Sequence, residues 1–153
     1  MRGRPILVSA LTAVVATVGP VMGCASTSTQ VAAVRIGPAP VEFQVEVAQT
    51  AEQQRDGLSG RDELSAGTGM LFRFGSSDAH QVWMADMKFP LDIAWIGAGK
   101  VVATDTLPPC TESDQNACPR WTAPSAVDAL LEVPAHSLTT VTPGMTVTVE
   151  EKK

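Results

Sequence analysis

The sequence predicts a mainly β domain, a sandwich or partly closed barrel of about six to seven short strands with one short helix, with an α+β arrangement as the alternative. Three observations lead there. Val41, Phe43, Val45 and Val47 alternate with Glu42, Gln44 and Glu46, the period of a strand with one face buried. Short apolar runs recur through the rest of the chain, each bounded by glycine, proline or polar clusters. One segment, from Thr50 to Gly57, carries the start and stop signals of a helix.

The chain opens with Arg2 and Arg4, an apolar run from Ile6 to Val18 and a small-residue segment ending at Gly23, the three regions of a secretory signal over residues 1–23. A membrane-spanning helix needs about 20 apolar residues. This run is shorter and is interrupted by Ser9, Thr12 and Thr17. Val21-Met22-Gly23-Cys24 resembles the lipobox of bacterial lipoproteins, whose cysteine is lipidated and becomes the new N-terminus. The expectation is therefore a protein of the cell envelope, extracytoplasmic and lipid-anchored to a membrane through Cys24; the alternative is plain secretion with Cys24 as a spare thiol.

Loss of residues 1–23 leaves 130 residues, enough for one domain with a real core. The net charge of −5 falls to −7, because two arginines and no acids leave with the signal. Apart from Lys152-Lys153 there is no basic cluster, which speaks against nucleic acid as a partner. With Cys24 assigned to the lipid, Cys110 and Cys118 remain as an even pair, and in an oxidising compartment such a pair suggests a disulfide.

Residues 24–40 contain Ser26-Thr27-Ser28-Thr29-Gln30 and end in Pro38-Ala39-Pro40, a composition suited to a flexible tether, so the folded domain is expected over 41–153. After the strand that begins at Val41, Thr50 and Gln53 have capping-box spacing, and Gly57 supplies a helix stop. Met70 to Phe74 and Val82 to Met84 read as short strands. Leu91 to Ile96 and Val101 to Leu107 read as a hairpin about the tight connection Gly97-Ala98-Gly99-Lys100. Pro108 to Pro119 is a polar excursion, Ala126 to Val133 another strand, and Met145, Val147 and Val149 alternate in the last. The stretch His80–Ile96 concentrates large side chains (Trp83, Phe89, Trp95) beside two carboxylates, Asp86 and Asp92, and is where a site is expected.

Arg55-Asp56-Gly57-Leu58 with Arg61, then Gly69 to Phe74, then Trp83 to Ile93, resemble the bacterial domain-of-unknown-function 192 family over about residues 43–150. Pro109-Cys110 to Trp121 and Leu130 to Ala135 extend the match. The resemblance implies a compact β-rich fold and brings no established activity or catalytic residues. Ala85 stands where that pattern commonly has lysine, and Ser59 where it commonly has methionine.

Three chemistries can be drawn from the candidate residues. Asp86, Asp92 and Glu132 could supply the carboxyl pair of a glycan hydrolase, which must stand about 5–9.5 Å apart across a sugar. The structural alternative is that Asp86 caps the turn before Phe89-Pro90, that Asp92 pairs with Arg61 or Arg120, and that Lys88 keeps both aspartates ionised. His80, Met84 and Met87, with Met70 nearby, offer an imidazole and thioethers to copper(I), although methionines beside aromatic rings also serve simply as core. Trp83 and Trp121, with Arg61, Arg120, Asp86 and Asp92 as polar partners, could grip an envelope glycan or a protein partner by stacking and placed polar groups. No zinc pattern, phosphate loop, dinucleotide fingerprint or nucleophile elbow occurs, so no cofactor is expected. The reading that follows is a non-catalytic binding or accessory module, with the carboxylate-dependent hydrolase and the copper(I) carrier as competitors.

Overall fold

The computed structural model describes residues 29–152. The signal segment and Cys24 lie outside the described residues, as does Lys153. The order of elements is β1 (Gln30–Ile36), β2 (Val41–Ala48), α1 (Ala51–Asp56), β3 (Thr68–Asp78), β4 (Gln81–Trp83), β5 (Leu91–Gly97), β6 (Lys100–Leu107), β7 (Arg120–Thr122), β8 (Val127–Pro134) and β9 (Val147–Lys152). Seven strands form one mixed sheet in the order β6-β5-β8-β3-β2-β1-β9, and β4 and β7 pair separately. Only β2 and β3 run parallel, joined through α1; the other described pairs are antiparallel.

The fold is mainly β and sandwich-like, as expected, with nine strands among the described residues rather than six or seven. The two edges of the large sheet are drawn together at one end. There Val101 N donates to Met145 O at 2.9 Å, Gly144 N to Val101 O at 2.8 Å and Val147 N to Gly99 O at 2.9 Å. The sheet curls around its inner face without closing into a barrel.

One strand corrects the expected tether. Gln30–Ile36 lies inside the sheet, bonded to β2 on one side and β9 on the other, so within residues 24–40 the segment from Gln30 belongs to the domain. Ala32, Val34 and Ile36 point into the core and are essentially inaccessible. Their run is short and lacks a polar alternation, and it is flanked by a Ser/Thr run and by Pro38-Ala39-Pro40; those prolines sit in the turn to β2, where no ladder donor is needed.

Two apolar cores follow from the strand alternation. The inner one is built from Ala32, Val34, Phe43, Val45, Leu71, Ala94, Ile96, Leu131 and Val133. The outer one holds Met70, Phe72, Leu91, Ile93, Trp95 and Leu130, roofed by Val82, Met84 and Met87 from the β4 segment and by Leu58 after α1. Strand β5 is thus buried on both faces, its odd positions outward and its even positions inward. Truncating a core leucine such as Leu91 or Leu131 costs about 2–5 kcal/mol.

Local signals hold where they were explicit. Thr50 accepts from Gln53 N while the Gln53 side chain accepts from Thr50 N, a complete capping box, and Gly57 ends the helix. The β5–β6 turn puts both Ala98 (φ 50°) and Gly99 (φ 70°) in the left-handed region, as a two-residue hairpin that follows the strand twist requires. Cys110 and Cys118 are bonded, with Cα atoms 5.7 Å apart, and close the excursion that leads into β7.

Candidate binding cleft

The outer core is incompletely roofed. Between the sheet, the end of α1 and the β4–β7 ribbon lies a cleft of about 350 Å³. Its volume falls in the range of small-ligand sites, roughly 300–1,000 Å³. The sheet supplies Phe72, Leu91, Leu130 and Glu132; α1 and its exit supply Gln54 to Ser59; the β4 segment supplies His80 to Met84 and Met87; and β7 supplies Arg120.

Glu132 is the feature the packing does not explain. It sits on β8, in register with Met70 of β3 and Ile93 of β5, and all three side chains lie on the outer face. Only 4% of it is exposed. Burial pushes its carboxyl up to about 8, and no hydrogen bond or neighbouring charge among the described residues offsets that desolvation. The neighbouring strand comes very close here: a Cβ on Gly69 would lie 2.3 Å from the Glu132 carbonyl oxygen, so only glycine fits at that position.

Two stacked pairs form the walls. Strands β4 and β7 put Trp83 opposite Arg120, and the guanidinium lies 4.2 Å from the centre of the indole ring. His80 stacks on Phe74 with ring centroids 3.8 Å apart and planes 19° from parallel. Its Nε2 lies 2.9 Å from the Ser76 carbonyl, which can only accept, so Nε2 donates and Nδ1 is left as the other ring nitrogen. Met84 and Met87 line the same cleft and are almost wholly buried. Arg55 and Asp56, 3.7 Å apart and largely exposed, stand at its rim.

A family model matches residues 32–149 and carries the description Uncharacterized ACR, DUF192. The chain belongs to the DUF192 family. Two solved structures show the same fold. One, from Sinorhizobium meliloti 1021, is described as a candidate transcription regulator; it is 26% identical, with a TM-score of 0.72 over 80% of this chain and 95% of that one. The other is a protein of unknown function from Novosphingobium aromaticivorans DSM 12444, 26% identical, with a TM-score of 0.69 over 89% of this chain and 94% of that one. No curated protein matches the chain.

In this DUF192 domain the remaining expected site residues are dispersed. Asp92 is 3% exposed and points to the inner face, where it accepts from Thr106 Oγ1 at 2.7 Å and from Leu138 N at 2.9 Å. It pairs with neither Arg61 nor Arg120, because β5 turns it away from both. Arg61 instead forks onto Glu46 at 2.7 and 2.8 Å, and that hydrogen-bonded guanidinium holds the Glu46 carboxyl below its usual range. Asp86 bonds no backbone amide with its side chain: the carboxylate meets the Gln115 side chain, and its carbonyl accepts from Gly60 N at 3.0 Å. It has φ 58°, so here Asp serves as a left-handed turn residue. Lys88 pairs with Asp62 at 2.6 Å rather than with either expected aspartate. Trp121 is half-buried against the outer core and is not among the residues that line the cleft.

Of the expected residues, the DUF192 cleft gathers His80, Trp83, Met84, Met87, Arg120 and Glu132, and leaves out Arg61, Asp86, Asp92 and Trp121. Sequence reasoning missed Phe74 and the α1 exit. It valued Glu132 only as one member of a carboxyl pair. The signal available was a single acid within the apolar run Leu130-Leu131-Glu132-Val133 of a strand covered on both faces.

Proposed function

We propose that the protein is a non-catalytic binding module of the cell envelope, held at a membrane by a lipid on Cys24, whose cleft receives a small envelope-derived molecule. The observation that carries this reading is the convergence of stacked aromatic pairs with an unpartnered, buried carboxyl on one cleft. Placed polar groups within apolar walls are the usual composition of a ligand site. The lipobox-like Val21-Met22-Gly23-Cys24 and the acidic charge balance support the address and argue against a nucleic-acid partner.

A hydrolase is disfavoured by geometry. Asp92 and Glu132 lie on opposite faces of one sheet and so do not face each other across one sugar, while Asp86 lies in an adjoining groove with Ser59, Gly60, Met87 and Lys88, its carboxylate engaged by the Gln115 side chain. The copper(I) reading draws on one specific observation, that His80, Met84 and Met87 line the same cleft. Competition against a chromogenic copper(I) chelator, with and without His80→Ala, tests it.

The cleft itself is tested by titrating the detergent-extracted protein with envelope muropeptides and disaccharides while recording amide resonances. The expected shifts map to His80–Met87, Arg120 and Glu132 and vanish in Trp83→Ala. Shifts confined to residues outside the cleft, such as Arg61 and Glu46, or unaltered in Trp83→Ala, would contradict the assignment.

A further inference from the structure

Two groups of opposite charge type line this cleft without ionic partners. Glu132 receives no donor, and Arg120 forms no salt bridge among the described residues. They also do not pair with each other, so a gap wider than a direct ion pair separates them. Arg120 spends the face of its guanidinium on Trp83, which leaves its in-plane N–H groups as donors. Glu132 needs donors on its oxygens, and an ammonium provides three together with a charge. Met84, Met87 and Leu130 line the same cleft and offer an apolar bed for a short spacer.

We propose that the cleft receives a small zwitterion, with its ammonium on Glu132 and its carboxylate or phosphate on Arg120. The proposal rests on the cleft being the binding site. A molecule with one charge would leave one of the two groups unanswered, whereas an aminoalkyl carboxylate or aminoalkyl phosphate answers both. Both occur as chemical types in an envelope, as the amino-acid end of a wall peptide or as a lipid headgroup, and the chemistry recognised is the same.

A pH signature follows. Glu132, pushed up to about 8 in the free protein, must release its proton to accept an ammonium, so at neutral pH binding is coupled to proton release. The titratable groups that line the cleft with it are Arg55 and Asp56 from α1, His80 from the segment before β4 and Arg120 from β7; β3 and β5 present no titratable group there, only apolar side chains such as Phe72, Phe74 and Leu91. A lysine-like amine stays protonated to about pH 10. Affinity therefore rises about fivefold from pH 7 to pH 8 and about tenfold by pH 9, where it levels.

The experiment is calorimetry with parallel amide-resonance mapping on the full chain in detergent micelles, using ε-aminocaproate, aminoethyl phosphate, n-hexylamine, hexanoate and glucose. The zwitterions are expected to bind on the order of tenfold more tightly than either singly charged probe, one tenfold step being about 1.4 kcal/mol. Whichever zwitterion binds more tightly distinguishes a carboxylate source from a phosphate source. Glu132→Gln should lower affinity about tenfold or more and abolish the proton release, while Arg120→Gln should lower affinity and keep the release, with Arg120→Lys restoring part of the loss. Unchanged zwitterion affinity in Glu132→Gln overturns the proposal. If glucose moves cleft resonances and the zwitterions do not, the zwitterion fails and the cleft stands. If no probe moves any cleft resonance, the cleft assignment falls with it.

Discussion

Replacing Glu132 by glutamine keeps the shape of the side chain and removes its titration, and the effect on stability follows from the structure. The folded-state pKa lies near 8 against an ordinary value of 4.5, so the folded protein holds a proton that the unfolded chain gives up. Stability contributed by the protonated form is complete below about pH 4.5, declines as pH rises toward 8 and is constant above it. The slope approaches 1.36 kcal/mol per pH unit, so the wild type loses roughly 2–3 kcal/mol relative to Glu132→Gln between pH 5 and 7. That is a large share of the 5–15 kcal/mol typical of a domain. Glu46 and Asp62, whose carboxyls are held low by Arg61 and Lys88, act in the acid range in the opposite sense, but equally in both proteins, so the difference cancels them. The assay is urea unfolding of the disulfide-intact proteins at several pH values from 5 to 8. A difference that stays flat across that range refutes the buried, unpartnered carboxyl.

Further outcomes are expected elsewhere in the molecule. Asp92→Ala strands the buried Leu138 amide and should cost about 2–3 kcal/mol in the same unfolding assay, the exposed Thr106 hydroxyl turning to water at little expense. Reducing Cys110–Cys118, which closes a loop with a sequence separation of 8, should cost about 2–3 kcal/mol in the chain-entropy account, and amide exchange should quicken first in β7. Arg61→Met should change stability by less than about 1 kcal/mol, because its pair with Glu46 is about a third exposed. Cys24→Ala should shift the protein from the membrane to the soluble fraction; wild type recovered soluble with an unmodified thiol would count against the anchor.

What the sequence disclosed, and what it hid, divides along contact range. The alternation of Val41 to Val47, the capping box of Thr50 and Gln53 and the turn at Ala98-Gly99 are set by neighbours, and each appears in the structure where its residues indicated. Strand β1 was hidden because its order comes from pairing with β2 and with β9 at the far end of the chain, not from its own pattern. Strand β7 has three residues and is defined by β4. The partners of Asp92 are 14 and 46 residues away and are a hydroxyl and a backbone amide, so charge alone, which pointed to Arg61 or Arg120, was no guide to them. His80, Trp83, Met84 and Met87 were legible as a local concentration of unusual side chains. Arg120 and Glu132 join them only because β7 lies beside β4 and β8 passes beneath.

The charge state of the cleft is read most directly by carbon-13 titration of the Glu132 carboxyl, measured in the free protein and again with saturating ε-aminocaproate. The midpoint is expected near 8 in the free protein, from burial without a partner, with a fall of at least about one unit when the ammonium arrives. A free-protein midpoint in the ordinary carboxylate range, or one that the ligand leaves unmoved, would contradict that expectation.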